Sequence, residues 1–336
     1  MNSTPDDLFP DWPRSEPPAR APGRRRAPAP DAGHASSPGT GRESAPVLPG
    51  VSGPAPAPSA APASARSPAE RLAAPSRVVI GTSGYSFPDW VGPFYPAGTP
   101  RTAMLACYAE RFPAVEVNAT YYRIPPPRTL EQMEAKTPPA FEFMVKLFQG
   151  MTHEAATDPQ LYRDFHAALE PLRRAGKLRG LLAQFPWAFR YGEEGLRHLE
   201  FLRHSFPEDS LHVEFRRSEW DRPEALGFLQ ERGIGYCCVD EPSLPGLMPA
   251  RAAATTEIGY VRLHGRNAAN WWGRGGGDRY DYDYSEAELR EWLARIRELA
   301  AKTARTYVFF NNCHAGHAAA NAMLMQEMLQ REGLGL

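Results

Sequence analysis

From Arg77 onward, short apolar runs alternate with longer stretches in which apolar residues recur at helical spacing. The runs are Val78-Val79-Ile80, Ala114 to Asn118, Phe141 to Leu147, Leu178 to Phe185, Leu211 to Phe215, Ile234 to Asp240, Ile258 to His264 and Thr306 to Asn311. Between most of them lie amphipathic segments such as Leu196-Leu199-Leu202 and Leu289-Trp292-Leu293-Ile296, the signature of helices that bury one face. The link from Glu241 to Thr256 carries Pro242, Pro245 and Pro249 and is expected to be irregular. Strands separated by crossovers of this length pair in parallel. Eight such units over about 260 residues match the size of a closed eight-stranded barrel. The predicted fold is α/β, a single (β/α)8 TIM-like barrel over residues 77–336. An open doubly wound sheet is the competing architecture, and the Gly-rich fingerprint expected between its first strand and helix is missing.

The polar residues concentrate where the runs end. The first leads into Gly81-Thr82-Ser83-Gly84-Tyr85, in which Gly81 to Gly84 are read as a tight turn, the alternative being a nest of backbone amides for a phosphate. The second ends with Glu116 and Asn118, with Tyr122 just beyond. The next three end with Lys146, with Gln184, and with Glu214 and Arg216. Asp240 ends the sixth, Arg262 and His264 the seventh, and Asn311 and Asn312 the eighth. Side chains alternate along a strand, so Glu116 with Asn118, Glu214 with Arg216, and Arg262 with His264 each share a face. Val115, Val117, Val213, Phe215, Val261 and Leu263 occupy the opposite face and suit packing under helices. The charged face then points into the barrel mouth, where active sites of this architecture lie. A ring of charges there must be mutually paired or solvated. Glu116–Arg262 and Glu214–Arg216 can equally be structural ion pairs that close the barrel top.

Composition changes the picture at the N-terminus. Of 35 prolines, 17 fall within residues 1–76, which hold almost no branched aliphatic side chains. This stretch is expected to be a disordered tail, because it cannot bury enough apolar surface to offset the entropy of ordering. Its acidic start (Asp6, Asp7, Asp11, Glu16) and lack of an apolar core argue against a targeting segment. No run approaches a membrane span, so a soluble, cytoplasmic protein with no membrane partner is expected. Cys107, Cys237, Cys238 and Cys313 form no CxxC pair and are read as free thiols. The net charge of -1 lacks the basic footprint of a non-specific duplex binder.

Several local patterns together resemble one family. They are Gly81-Thr82-Ser83-Gly84-Tyr85 with Asp89-Trp90 and Phe94-Tyr95-Pro96, then Val115-Glu116-Val117-Asn118 with Thr120-Tyr121-Tyr122-Arg123. Phe143-Met144-Val145-Lys146 with Thr152-His153, Gln184-Phe185-Pro186, and Glu214-Phe215-Arg216 with Trp220 continue the series. Tyr260-Val261-Arg262-Leu263-His264-Gly265 and Phe310-Asn311-Asn312 with Gly316 and Asn321-Ala322 close it. The chain from residue 77 on is similar to the domain of unknown function 72 family, the YecE-like proteins. The one departure is Tyr85, where that family often has tryptophan. The resemblance implies a TIM barrel and carries no activity with it.

The chemistry expected of the mouth follows from its residue types. Glu116, Glu214, His264 and Asp240 are the candidate acid, base or nucleophilic groups. Ser83, Tyr85, Asn118, Tyr122, Lys146, Gln184, Arg216, Arg262, Trp271, Asn311 and Asn312 are the candidate substrate-binding residues. The cations among them suit phosphate or carboxylate. Trp271-Trp272 beside Gly273, Gly275, Gly276 and Gly277 suggests either a mobile lid that stacks on a ring or an ordinary loop. His153, His264, His314 and His317 lack the spacing of a metal motif. Glu116, Glu214 and Asp240 could add oxygen donors; His314 and His317 are read as surface residues at the start of the last helix, the inward-facing His264 is the better ligand candidate, and no metal ligand or cofactor is assigned. The leading expectation is a hydrolase or lyase acting on a polar anionic small molecule or nucleic-acid fragment. The alternatives are a non-catalytic nucleotide or nucleic-acid binding module and a metal-dependent phosphodiesterase or nuclease-like enzyme, the latter by fold analogy alone. No partner protein is inferable.

Overall fold

A computed structural model describes residues 77–272 and 278–333. The expected tail over residues 1–76 and the glycine-rich stretch 273–277 lie outside the described residues. Eight parallel strands close into a barrel in sequence order: β1 (Arg77–Ser83), β2 (Ala114–Val117), β3 (Glu142–Lys146), β4 (Leu178–Gln184), β5 (Leu211–Glu214), β6 (Gly235–Asp240), β7 (Ile258–Leu263) and β8 (Arg305–Phe310). Each apolar run named above contributes one strand. The β1–β8 ladder, from Arg77↔Arg305 to Thr82↔Phe310, shuts the sheet and leaves no edge exposed.

The crossovers supply the outer layer. The helices are α1 (Arg101–Ala109), α2 (Pro127–Ala135), the short α3 (Gln149–Thr152), α4 (Pro159–Arg174), α5 (Glu193–Ser205), α6 (Pro223–Glu231), α7 (Glu286–Ala300) and α8 (His317–Arg331). Local chemistry fixes where they start. Asp158 caps α4 through the Gln160 N–H at 2.9 Å, and Ser285 with Glu288 forms a capping box on α7. Leu289, Trp292, Leu293, Ile296 and Leu299 of α7 are buried on one face. No helix joins β6 to β7, in line with the prolines of that link.

Outward strand residues such as Val115, Val213, Val261 and Leu263 are fully buried under these helices. Each such side chain contributes about 1.5–3 kcal/mol of burial. The inward face is different, because it mixes charged residues with glycines. Gly81, Gly180 and Gly235 leave room where a side chain has none: a Cβ on Gly235 would stand 2.2 Å from Cδ2 of His212, and one on Gly81 would stand 2.3 Å from the carbonyl oxygen of Ala114. The N-terminal end of the barrel is plugged by Glu142, which pairs with Arg179 at 2.9 Å and Arg305 at 2.6 Å and accepts from Tyr307 Oη at 3.0 Å.

One local expectation is corrected. Gly81 to Ser83 continue β1 instead of turning, because their backbone groups pair with β2 and β8. The turn falls on Gly84, whose φ of 95° suits only glycine.

Two substitutions test this packing. Gly81→Ala should destabilise the fold by about 1–3 kcal/mol or more, because the obstructing atom is backbone of the neighbouring strand. Gly227→Ala, in the interior of α6 with open space around it, should stabilise by about 0.4–1 kcal/mol. Urea unfolding midpoints of both variants check the pair.

Candidate active site

Two polar layers occupy the C-terminal half of the barrel. The deeper one is built around Arg262 of β7, whose guanidinium is fully buried. Its Nη2 donates to Glu116 Oε1 at 2.7 Å and its Nη1 to Glu214 Oε2 at 2.5 Å, joining β2, β5 and β7. Tyr260, two residues earlier on the same face, donates its hydroxyl to Glu116 Oε2 at 2.7 Å. Ser83 Oγ lies 3.5 Å from Arg262 Nη2. His264 continues the inward face of β7. Asn311 Nδ2 donates to its Nδ1 at 2.9 Å, which leaves the ring proton on Nε2. That Nε2 lies 3.3 Å from Glu214 Oε1, but off the hydrogen-bond axis.

The upper layer is partly exposed at Arg216, Lys146 and Gln184, while Glu241 is buried. Arg216 pairs with Glu214 Oε1 at 2.8 Å and with Glu241 Oε2 at 3.1 Å. Glu241 Oε1 accepts the Met248 N–H at 2.9 Å, so the carboxylate is held from both sides. Lys146 ends β3 and is half-buried. Its Nζ donates to Gln184 Oε1 at 2.8 Å and sits 4.2 Å from the centre of the Tyr121 ring. Among the described residues no carboxylate pairs with it. Trp271 arches over this layer, with the Arg216 guanidinium 5.8 Å from its ring and His264 at 6.5 Å. Tyr280 stands 6.1 Å from His264, and Tyr122 is exposed against Tyr121 at 5.0 Å. Asn118 presents a buried Oδ1 with no hydrogen-bond partner among the described residues.

The burial of these groups sets their ionisation. Burial opposes the charge of Glu214, but Arg216 and Arg262 outweigh it and hold the carboxyl well below its usual range. Burial, reinforced by Arg216, lowers His264 to about 3, so the imidazole is neutral. Lys146 is lowered to about 7 by burial and by Arg262, with the carboxylates nearby offsetting only part of this. Glu241 is raised to about 7 by burial against the pull of Arg216. Two groups, Glu241 against Arg216 and Lys146 at the end of β3, therefore titrate near neutral pH.

Three expected mouth residues point elsewhere. In the β6–β7 register Val239 pairs with Arg262 and Asp240 with Leu263, so Asp240 lies on the outer face. There it accepts from Arg266 Nε at 3.0 Å and from Tyr284 Oη at 2.6 Å, tying β6 to the segment after β7. Asn312 follows the inward Asn311 and also faces out, where its Nδ2 donates to Asn321 Oδ1 at 2.7 Å. The Tyr85 ring is buried 6.2 Å from that of Tyr108 in the helix layer. Tyr260, Glu241 and Tyr121 were not among the residues expected at the mouth. Tyr260 had a signal, since it shares the parity of Arg262 and His264.

The chain matches the family model described as "Protein of unknown function DUF72" over residues 79–335. It is 33% identical over 276 residues to UPF0759 protein YunF of Bacillus subtilis, covering 77% of this chain and 97% of that protein. Among solved structures, a DUF72 family protein from Thermotoga maritima is 43% identical with a TM-score of 0.71, covering 76% of this chain and 99% of that one. A DUF72 family protein from Enterococcus faecalis is 27% identical with a TM-score of 0.69, covering 75% and 95%.

Removing the central cation should be costly. Arg262→Met leaves the buried Glu116 without a cation and Glu214 with Arg216 alone, and is expected to destabilise by about 3–5 kcal/mol. The deficit should shrink as the pH falls and those carboxylates take up protons, which paired urea titrations would read. In the unaltered protein the neutral imidazoles act on stability as well. Burial lowers His212 to about 4 and His264 to about 3, both below the ordinary 6.5. Below pH 6.5 the unfolded chain therefore binds protons that the folded chain refuses, so stability falls between pH 6.5 and about 4. Equal thermal midpoints at about pH 7.5 and pH 5 would contradict this.

Proposed function

The chain belongs to the DUF72 family, and on that premise we propose that its barrel mouth is an active site of lyase or hydrolase type for a polar, anionic substrate. The observation that carries this reading is Lys146. It is a half-buried cation at a strand end whose partners, Gln184 and the Tyr121 ring, are both neutral. An ammonium in that position lacks a counter-charge, and a phosphate or carboxylate of the substrate supplies one. With its pKa near 7, the amine also exchanges protons at neutral pH, the requirement for general acid–base work. Arg216 and the unpartnered Asn118 Oδ1 add polar contacts around the same opening, and Trp271, Tyr280 and Tyr122 supply ring surfaces. Among the described residues no helix is long and apolar enough to cross a membrane, and the net charge of -1 favours a small anion over a long nucleic-acid duplex.

A second reading, a binding module for a nucleotide or nucleic-acid fragment, rests on a different observation. Trp272 is exposed and meets Trp187 edge-on at 5.2 Å, a rim surface on which a base can stack.

Thermal-shift screening against phosphorylated and carboxylated metabolites, with neutral sugars as comparators, tests the proposal. Anions should stabilise the protein, and Lys146→Met should lose the response. Lys146→Arg should keep anion binding but lose turnover together with the limb of the pH–rate profile near 7. Stabilisation by neutral sugars alone would sink the anion reading. An anion that binds and is recovered unchanged would favour the binding module.

A further inference from the structure

A second constellation lies apart from the charged mouth, at the C-terminal ends of β7 and β8. Asp281, in the segment after β7, meets His314 and His317, which lie in the turn after β8 and at the first position of α8. His314 Nδ1 is 3.0 Å from Asp281 Oδ1, and His317 Nε2 is 3.9 Å from the same oxygen. All three ligand atoms fall within 4.8 Å of one another. Ligands at about 2.0–2.1 Å from a tetrahedral ion stand about 3.3 Å apart, so modest side-chain rotation suffices to close this set on a metal.

We propose that Asp281, His314 and His317 form a binding site for a divalent transition-metal ion of the zinc or ferrous class. Two imidazoles and one carboxylate are the donors that such ions prefer, whereas magnesium and calcium favour all-oxygen sets.

The surroundings favour ligation over a chance surface ion pair. His317 Nδ1, the nitrogen turned away from Asp281, lies 3.7 Å from Asp283 Oδ1. A carboxylate that accepts a hydrogen bond from the second nitrogen of a metal-binding histidine fixes the tautomer that presents Nε2 to the ion, and Asp283 stands within a small rotation of that role. Asp283 is itself held, because Asn321 Nδ2 donates to its Oδ1 at 2.9 Å, and Asn321 is buried. The turn that carries His314 is clamped from the β1 side. Trp90 Nε1 donates to the Cys313 carbonyl at 2.7 Å, and the Ala315 N–H donates to Asp89 Oδ2 at 2.6 Å. The backbone that carries His314 is thus held before any ion arrives, and Asp283 stands behind His317. Side-chain exposures of 49% for Asp281, 55% for His314 and 30% for His317 leave the outer side open. Three protein ligands with an open side match the pattern in which water or a substrate atom completes the shell.

Isothermal titration of the untagged full chain with zinc chloride, with magnesium chloride as comparator, decides the matter. One equivalent of zinc per chain and no magnesium response are expected. The His314→Ala/His317→Ala double variant should lose the saturable event while keeping its circular dichroism and thermal midpoint. Should that variant lose its fold, Asp281→Ala, at an exposed position, reads the same loss. Asp283→Asn should weaken zinc binding by about 10–100-fold. A saturable event that survives the folded ligand variants, or no event at all, overturns the site. Unchanged affinity in Asp283→Asn overturns the orienting role of that carboxylate.

Discussion

A fully buried arginine held between two buried carboxylates is the constraint on which the upper half of this barrel depends. Arg262 cannot be left alone in the interior, because an unpaired charge there costs several kcal/mol. It must therefore meet Glu116 and Glu214 at once, and these come from β2 and β5, three strands apart around the ring. A one-residue slip of any of these strands would turn its charged residue out under the helices and an apolar one in. The network thus ties register to burial across the barrel. Such networks rarely add stability over a well-packed apolar core. What this one supplies is position: it fixes the floor on which the accessible layer stands.

The same burial that strains the charges also spreads their titrations. His264 is kept neutral beside an ionised Glu214, while Glu241 and Lys146 are brought toward neutrality from opposite directions. A polar interior of this kind needs space as well as charge balance. The glycines at positions 81, 180 and 235 provide it, letting large groups such as His212 lie across the barrel where a methyl group would collide.

Much of this was legible in the sequence, for a physical reason. Where a strand alternates a charged residue with a valine or leucine, parity announces which side faces in, and Glu116, Glu214, Arg216, Arg262 and His264 all fall where parity puts them. Parity is silent on β6. Cys237, Cys238 and Val239 are apolar on both faces, so nothing local reveals that Asp240 points outward and that Glu241, one residue on, reaches Arg216. Tyr260 is hidden differently, because a tyrosine in an apolar strand passes for core until its hydroxyl finds a carboxylate. The cluster of Asp281 with His314 and His317 lies beyond any local pattern. Its members meet only because β7 and β8 are neighbours in the closed sheet, which brings the segments that follow them together.

Lys146 shows how the two layers are coupled. The upper barrel holds three cations (Arg216, Arg262 and Lys146) near three carboxylates (Glu116, Glu214 and Glu241). An even match would give the lysine a partner. The guanidinium fork, however, reaches two carboxylates at once: Arg262 spans Glu116 and Glu214, and Arg216 spans Glu214 and Glu241. A planar, weakly hydrated fork gains more from such bridging than a compact ammonium does. Once both arginines are placed, each carboxylate already faces a guanidinium, and Lys146 is left with an amide oxygen and a ring face. Burial lowers its pKa, and Arg262, acting on it as a like charge, lowers it further. That Lys146 pairs with no carboxylate among the described residues is therefore a by-product of how the floor is satisfied.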